Sequence, residues 1–75
     1  MHTTDMSEMN AGQSGSVMYL HHEGAMQRRL YELGLIPGTN IDCIMENKGM
    51  KAFFVRGACI ALRKSDLKKI TVCLK

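Results

Sequence analysis

The chain has 75 residues, 45% of them hydrophobic and 23% charged, with a net charge of +3. A chain this short forms one domain and buries only about 60% of the surface it exposes when unfolded, which leaves little room for a deep catalytic pocket. The composition is that of a globular domain, no apolar run approaches the roughly 18 to 20 residues that cross a bilayer, and the charge is too modest to imply nucleic acid by itself.

Residues 1 to 11 are polar apart from Met6 and Met9 and read as a flexible, loosely held lead-in to a domain over residues 12 to 75. They have neither the basic start nor the apolar centre of a signal peptide. "SGSVMYLHH" places Val17 and Tyr19 on one face and Met18 and Leu20 on the other, the alternation of a first strand. In "EGAMQRRLYEL", Met26, Leu30 and Leu33 recur at helical spacing, with Arg28, Arg29 and Glu32 on other faces of a short helix.

"LGLIPGTNI" follows, four apolar residues among two glycines and the only proline. Gly34 suits the left-handed conformation that ends a helix, Pro37 cannot continue one, and Gly38 permits the turn into the next strand. On this reading the stretch is a structural turn in which Leu33 and Leu35 plug one end of the core. Leu35 and Ile36 are also expected to be partly exposed beside the helix, as an apolar docking patch.

Beyond the turn, Ile41, Cys43 and Met45 share a face, as do Phe53 and Val55, with a hairpin turn at Asn47-Lys48-Gly49 between the two strands. Arg56-Gly57 turns the chain into "ACIALR". "KSDLKK" is a polar connector with Leu67 pointing inward, and Ile70, Val72 and Leu74 alternate in a closing strand. About five short strands and one helix make a mainly β domain, a small barrel with few exposed edges.

The chemistry-bearing residues form no catalytic set. No nucleophile sits in a pattern with a base and an orienting group, and no glycine spacing builds a phosphate loop, so the chain is read as no enzyme and as binding no cofactor. Cys43, Cys59 and Cys73 are odd in number and widely spaced, which reads as small core residues in a reducing compartment. His21-His22-Glu23 puts three potential ligands in a row. Adjacent strand residues point to opposite faces, however, so a surface histidine pair is favoured over a metal site. Arg28-Arg29, Arg63-Lys64 and Lys68-Lys69 are interleaved with acids, and of Phe53 and Phe54 at most one can be displayed. That combination argues against nucleic acid, which needs aromatic stacking on a basic face.

Taken together, "RRLYELGLIPGTNIDCI" and "FFVRGACIALRKSDLKKITV" resemble the ferrous iron transport protein A (FeoA) family. The pattern is a helix, L-G-L-x-P-G-T at Leu33 to Thr39, V-R-G at Val55 to Gly57, then Ile60, Leu62-Arg63-Lys64, Ile70 and Val72. The opening G-x-x-G-x-V at Gly12, Gly15 and Val17 is similar too, so the resemblance covers residues 12 to 74. It departs at Asn47-Lys48-Gly49-Met50, where the family often has a Gly-Asp-Pro-like turn, and in the methionine-bearing lead-in.

The resemblance implies an SH3-like barrel with a helix after the first strand. It also implies a cytoplasmic accessory protein of bacterial ferrous iron uptake that binds the FeoB-type membrane permease without entering the membrane. Arg28, Arg29, Leu35 and Ile36 are the candidate partner contacts, and Gly34, Pro37, Gly38 and Gly57 the structural turn residues. The rival function is a small metal-sensing or metal-carrying barrel using His21, His22, Glu23 and a cysteine. Pairing of an exposed strand edge into a homo-oligomer stays open.

Overall fold

Period-two alternation dominates the chain, and in the computed structural model, which describes residues 2–75, it folds into one antiparallel sheet. The strands are β1 (His2–Asp5), β2 (Ser14–Leu20), β3 (Asn40–Asn47), β4 (Met50–Val55), β5 (Ala58–Arg63) and β6 (Ile70–Leu74). Helix α1 (Gly24–Glu32) follows β2, a one-turn helix α2 (Lys64–Leu67) follows β5, and a 3-10 turn (Met6–Glu8) follows β1. The strand order is β1-β6-β2-β3-β4-β5. The fold is thus the expected mainly β, SH3-like one with its helix after the first long strand. It has six strands rather than about five, and among the described residues no ladder joins β1 to β5, so the sheet curls without closing.

The additional strand lies in the segment expected to be a loosely held lead-in. β1 pairs with β6 from His2 opposite Leu74 to Asp5 opposite Thr71, and Met6 and Met9 are wholly buried in the core. Lys51 holds this segment down. It occupies the first inward position of β4, ahead of the core residues Phe53 and Val55, and its buried Nζ donates to the Met9 carbonyl at 2.6 Å. Glu46 Oε2 lies 3.3 Å from the same amine and supplies the counter-charge. A buried amine is tolerated only when paired in this way.

Two bulges change which residues face inward. In β2 the register against β6 shifts between Val17 and Tyr19, so Val17 and Leu20 are buried while Tyr19 is 58% exposed. In β3 the register against β4 shifts between Cys43 and Met45, so Ile41 and Cys43 are buried while Met45 is 59% exposed. Strict alternation had placed Tyr19 with Val17 and Met45 with Cys43. An extra residue on one strand reverses the side on which the following side chains emerge.

The apolar turn ends α1 by a double capping pattern. The Leu35 N–H donates to the Leu30 carbonyl at 3.0 Å and the Gly34 N–H to Tyr31 at 2.9 Å, with Gly34 at φ +102°. These are the paired bonds of a Schellman motif, whose accompanying apolar contact joins the positions held here by Leu30 and Leu35, both wholly buried. The chain then reverses at Ile36-Pro37-Gly38-Thr39. The Thr39 N–H donates to the Ile36 carbonyl at 3.1 Å and Gly38 has φ +95°, the type II arrangement with proline and glycine at its two central positions. Between β4 and β5, Arg56 and Gly57 both have positive φ, as a two-residue type I′ hairpin requires.

Gly34→Ala tests the cap. A Cβ there meets Arg56 Cδ at 2.9 Å on a backbone that L side chains rarely adopt. The substitution is expected to lower unfolding stability by about 1 to 2 kcal/mol in urea denaturation. Lys51→Ala strips the Met9 carbonyl of its amine donor and is expected to cost about 1 to 3 kcal/mol in the same assay, with faster proteolysis at the N-terminal segment.

Candidate functional site

The four expected partner contacts do not form one surface. Leu35 is 0% exposed and belongs to the core cluster, so it presents nothing to a partner. The Schellman motif explains this, because it folds the second residue after the C-cap Leu33 back under Leu30. Ile36 is half-buried, while Arg28 and Arg29 are exposed on α1. Leu33, expected as a plug, is 37% exposed. Of the two residues expected to plug the core, Leu35 does so and forms no docking patch, while Leu33 remains on the surface.

Leu33 borders a groove that sequence reasoning missed. The groove runs between α1, which contributes Met26, Arg29 and Leu33, and the edge of the β4–β5 hairpin, which contributes Met50, Ala61, Leu62 and Arg63. Asp66 of α2 lies at its end. Met50 and Ala61 also border a second, shallower concavity with Met45, Asn47, Lys51 and Ala52 on the outer face of β3–β5. Cross-strand register aligns Met45 with Ala52 and Ala52 with Ala61, and Phe54, two residues along β4 from Ala52, is exposed on that same outer face. Apolar surface is thus continuous from α1 to β3, with Arg29 and Arg63 beside it. The bulge in β3 is what turns Met45 outward, and no periodicity argument reveals a bulge.

His21 and His22 lie just past the end of β2, one exposed and the other buried. His21 is exposed, meets Tyr19 edge-on at 4.6 Å between ring centroids, and has Nε2 3.2 Å from Thr71 Oγ1. His22 is not the surface residue expected: it is only 7% exposed. Its Nε2 lies 3.8 Å from Asp66 Oδ1, beyond hydrogen-bond reach, and neither ring nitrogen has a hydrogen-bond partner. Burial lowers the His22 pKa below the ordinary 6.5, opposed by Asp66 and reinforced by Lys69 and His21. Among the described residues no three His, Cys, Asp or Glu side chains converge as metal ligands. Of the cysteines, Cys43 is buried, with its thiol pKa pushed up by desolvation, whereas Cys59 is exposed on β5 rather than in the core. No described helix is long and apolar enough to cross a membrane.

A histidine with a lowered folded pKa binds fewer protons folded than unfolded, so its contribution is complete above 6.5 and is lost as pH falls through that value toward the folded pKa. Urea midpoints are therefore expected to fall on acidification through this window. In His22→Phe the part of that slope owed to His22 disappears, while Asp66 loses its nearby imidazole.

Known proteins share both this fold and these motifs. A family model described as the FeoA domain matches residues 4–73, starting inside β1. A crystal structure of the iron uptake regulatory protein FeoA superposes with a TM-score of 0.90 at 24% identity, covering 100% of both chains. FeoA of Chlorobium tepidum gives 0.84 at 25% identity, covering 95% of this chain and 70% of that one. A zinc complex of Stenotrophomonas maltophilia FeoA, described as a prokaryotic SH3 domain protein, gives 0.76 at 28% identity over 92% of this chain and 88% of that one. No curated protein sequence matches the chain. With nearly its whole length matched by the family model, this chain belongs to the FeoA domain family.

Proposed function

We propose that the protein is a cytoplasmic, non-catalytic accessory module of ferrous iron uptake that binds the cytosolic part of an FeoB-type permease. Family membership supports the pathway: the similar crystal structure is that of an iron uptake regulatory protein, and the S. maltophilia protein has been put forward as a ferrous iron transport activating factor. The observation that carries the binding role is the apolar surface beside α1, where Met26, Leu33, Met50 and Ala61 meet under Arg29 and Arg63. Burial of such a surface supplies affinity, and guanidinium groups at its margin supply orientation and a faster encounter. Arg28 and Ile36 do not line this groove, and Leu35 acts only through the fold.

The test is calorimetric titration against the cytosolic domain of the FeoB-type permease of the same organism, with and without guanine nucleotide. Arg29→Glu and Leu33→Asp, each checked for folding by circular dichroism, are expected to weaken binding roughly tenfold or more. Wild-type binding that both variants retain places the contact elsewhere on the molecule. Absence of binding in every nucleotide state removes the permease domain as the partner.

A further inference from the structure

The two edges of the open sheet are built differently. β1 is four residues long, polar in sequence (His-Thr-Thr-Asp) and backed by the 3-10 turn. β5 runs six residues in unbroken register with β4, and from Ala58 to Leu62 it contains no charge and no proline. Edge strands are ordinarily blunted by shortness, charge, proline or a bulge, because an unpaired ladder recruits another strand. β1 has these defences and β5 lacks them.

The backbone groups that β5 leaves open can be assigned. A two-residue hairpin closes on a hydrogen-bonded pair, here Val55 with Ala58, and such pairs alternate along an antiparallel ladder. Ala58, Ile60 and Leu62 therefore direct their N–H and C=O toward β4, while Cys59 and Ala61 direct theirs outward, as does the Arg63 N–H, the Arg63 carbonyl serving as the N-cap acceptor of α2. Along this open edge α1 supplies a wall, with Met26 and Leu33 facing Ala61 and Leu62 across the groove. An edge strand flanked by a helix is the arrangement in which an extended peptide docks as an added strand.

Resting on the reading of this chain as a protein-binding module, we infer that the open edge of β5 takes up an extended, acidic segment of a partner protein as an added strand between β5 and α1. Charge selects the occupant. Arg56 stands at the hairpin end of β5, Arg63 and Lys64 stand at the other, and Arg29 lies on the helix wall, so acidic residues bracketing a short apolar stretch fit both ends. Asp66 is the one acid lining the groove and lies beside His22 at its far end. A second copy of this chain fits less well, because antiparallel self-pairing sets each basic end of β5 against the other copy's basic end.

The probe is a short synthetic peptide of alternating valine and threonine bracketed by glutamates, with a lysine-bracketed version as control, titrated into 15N-labelled protein. Shift changes confined to β5 and α1 are expected, with amide exchange at Cys59, Ala61 and Arg63 slowed and the lysine version binding roughly tenfold more weakly. Ala61→Pro removes one outward N–H without touching the β4 ladder, a position where an edge strand tolerates proline, and is expected to abolish binding in a folded protein. Arg29→Glu, which leaves the backbone alone, is expected to reverse the preference toward the lysine peptide. Shifts elsewhere, equal binding of both peptides, or binding unchanged by both variants overturns the inference. So does concentration-dependent protection of the same amides without peptide, which makes a second copy the occupant. Permease binding with no peptide binding defeats this inference alone, and peptide binding without permease binding defeats only the choice of permease.

Discussion

The structure depends on the way the Ile36-Pro37-Gly38-Thr39 turn is fastened to β2. The Val17 N–H donates to the Thr39 carbonyl at 2.8 Å, and Val17 in turn accepts from the Gly38 N–H at 2.7 Å. One residue of β2 therefore holds the last two residues of the turn, while Leu35 is locked beneath Leu30. This fixes the exit of α1 and the entry of β3 together. Gly34 carries no side chain, and the stem of Arg56 lies where its Cβ would be, so the β4–β5 hairpin is packed against the same point. Helix, turn and hairpin are in this way positioned by a single cluster, and the groove between α1 and β5 follows from it.

A chain of this length cannot spare residues for a pocket behind several layers of support. Its recognition chemistry has to sit on surfaces that the fold produces anyway. Here those are the side of a short helix, the outer face of three strands and one sheet edge. Two opposed demands meet there: the edge must not aggregate, yet it must stay available. Basic residues at both ends of β5 reconcile them, since they oppose pairing of like copies and favour an acidic visitor.

The helix and its end, the two hairpin turns and the inward set Phe53, Val55, Ile70 and Val72 are legible in the sequence, because each follows from spacing or from a backbone conformation that few residues adopt. Of Phe53 and Phe54 only one is displayed, as alternation requires, and it is Phe54. What escapes are features that depend on a partner strand. The bulges after Val17 and Cys43 are properties of register, and without the neighbouring strand nothing shows that Tyr19 and Met45 turn outward. β1 escapes because His-Thr-Thr-Asp is a poor strand in isolation and forms by pairing with β6. The buried role of Lys51 escapes as well, because it depends on the Met9 carbonyl, a contact distant in sequence.

Leu33 and Leu35, both expected to plug the core, part company because the glycine lies between them. At a helix end closed by a glycine, the residue before the glycine continues the helical face, while the residue after it is carried back under the last turn. Met26 and Leu33 lie seven residues apart and so share one side of α1, and that side borders the groove. Leu35 is recruited to the core by the capping bonds instead. The apolar content of "LGLIPG" therefore serves two purposes at different positions: Leu35 builds the cluster on which the groove depends, and Leu33 presents that groove's wall. A substitution at Leu35 acts on the fold first, so surface residues such as Leu33 and Arg29, not Leu35, separate recognition from stability.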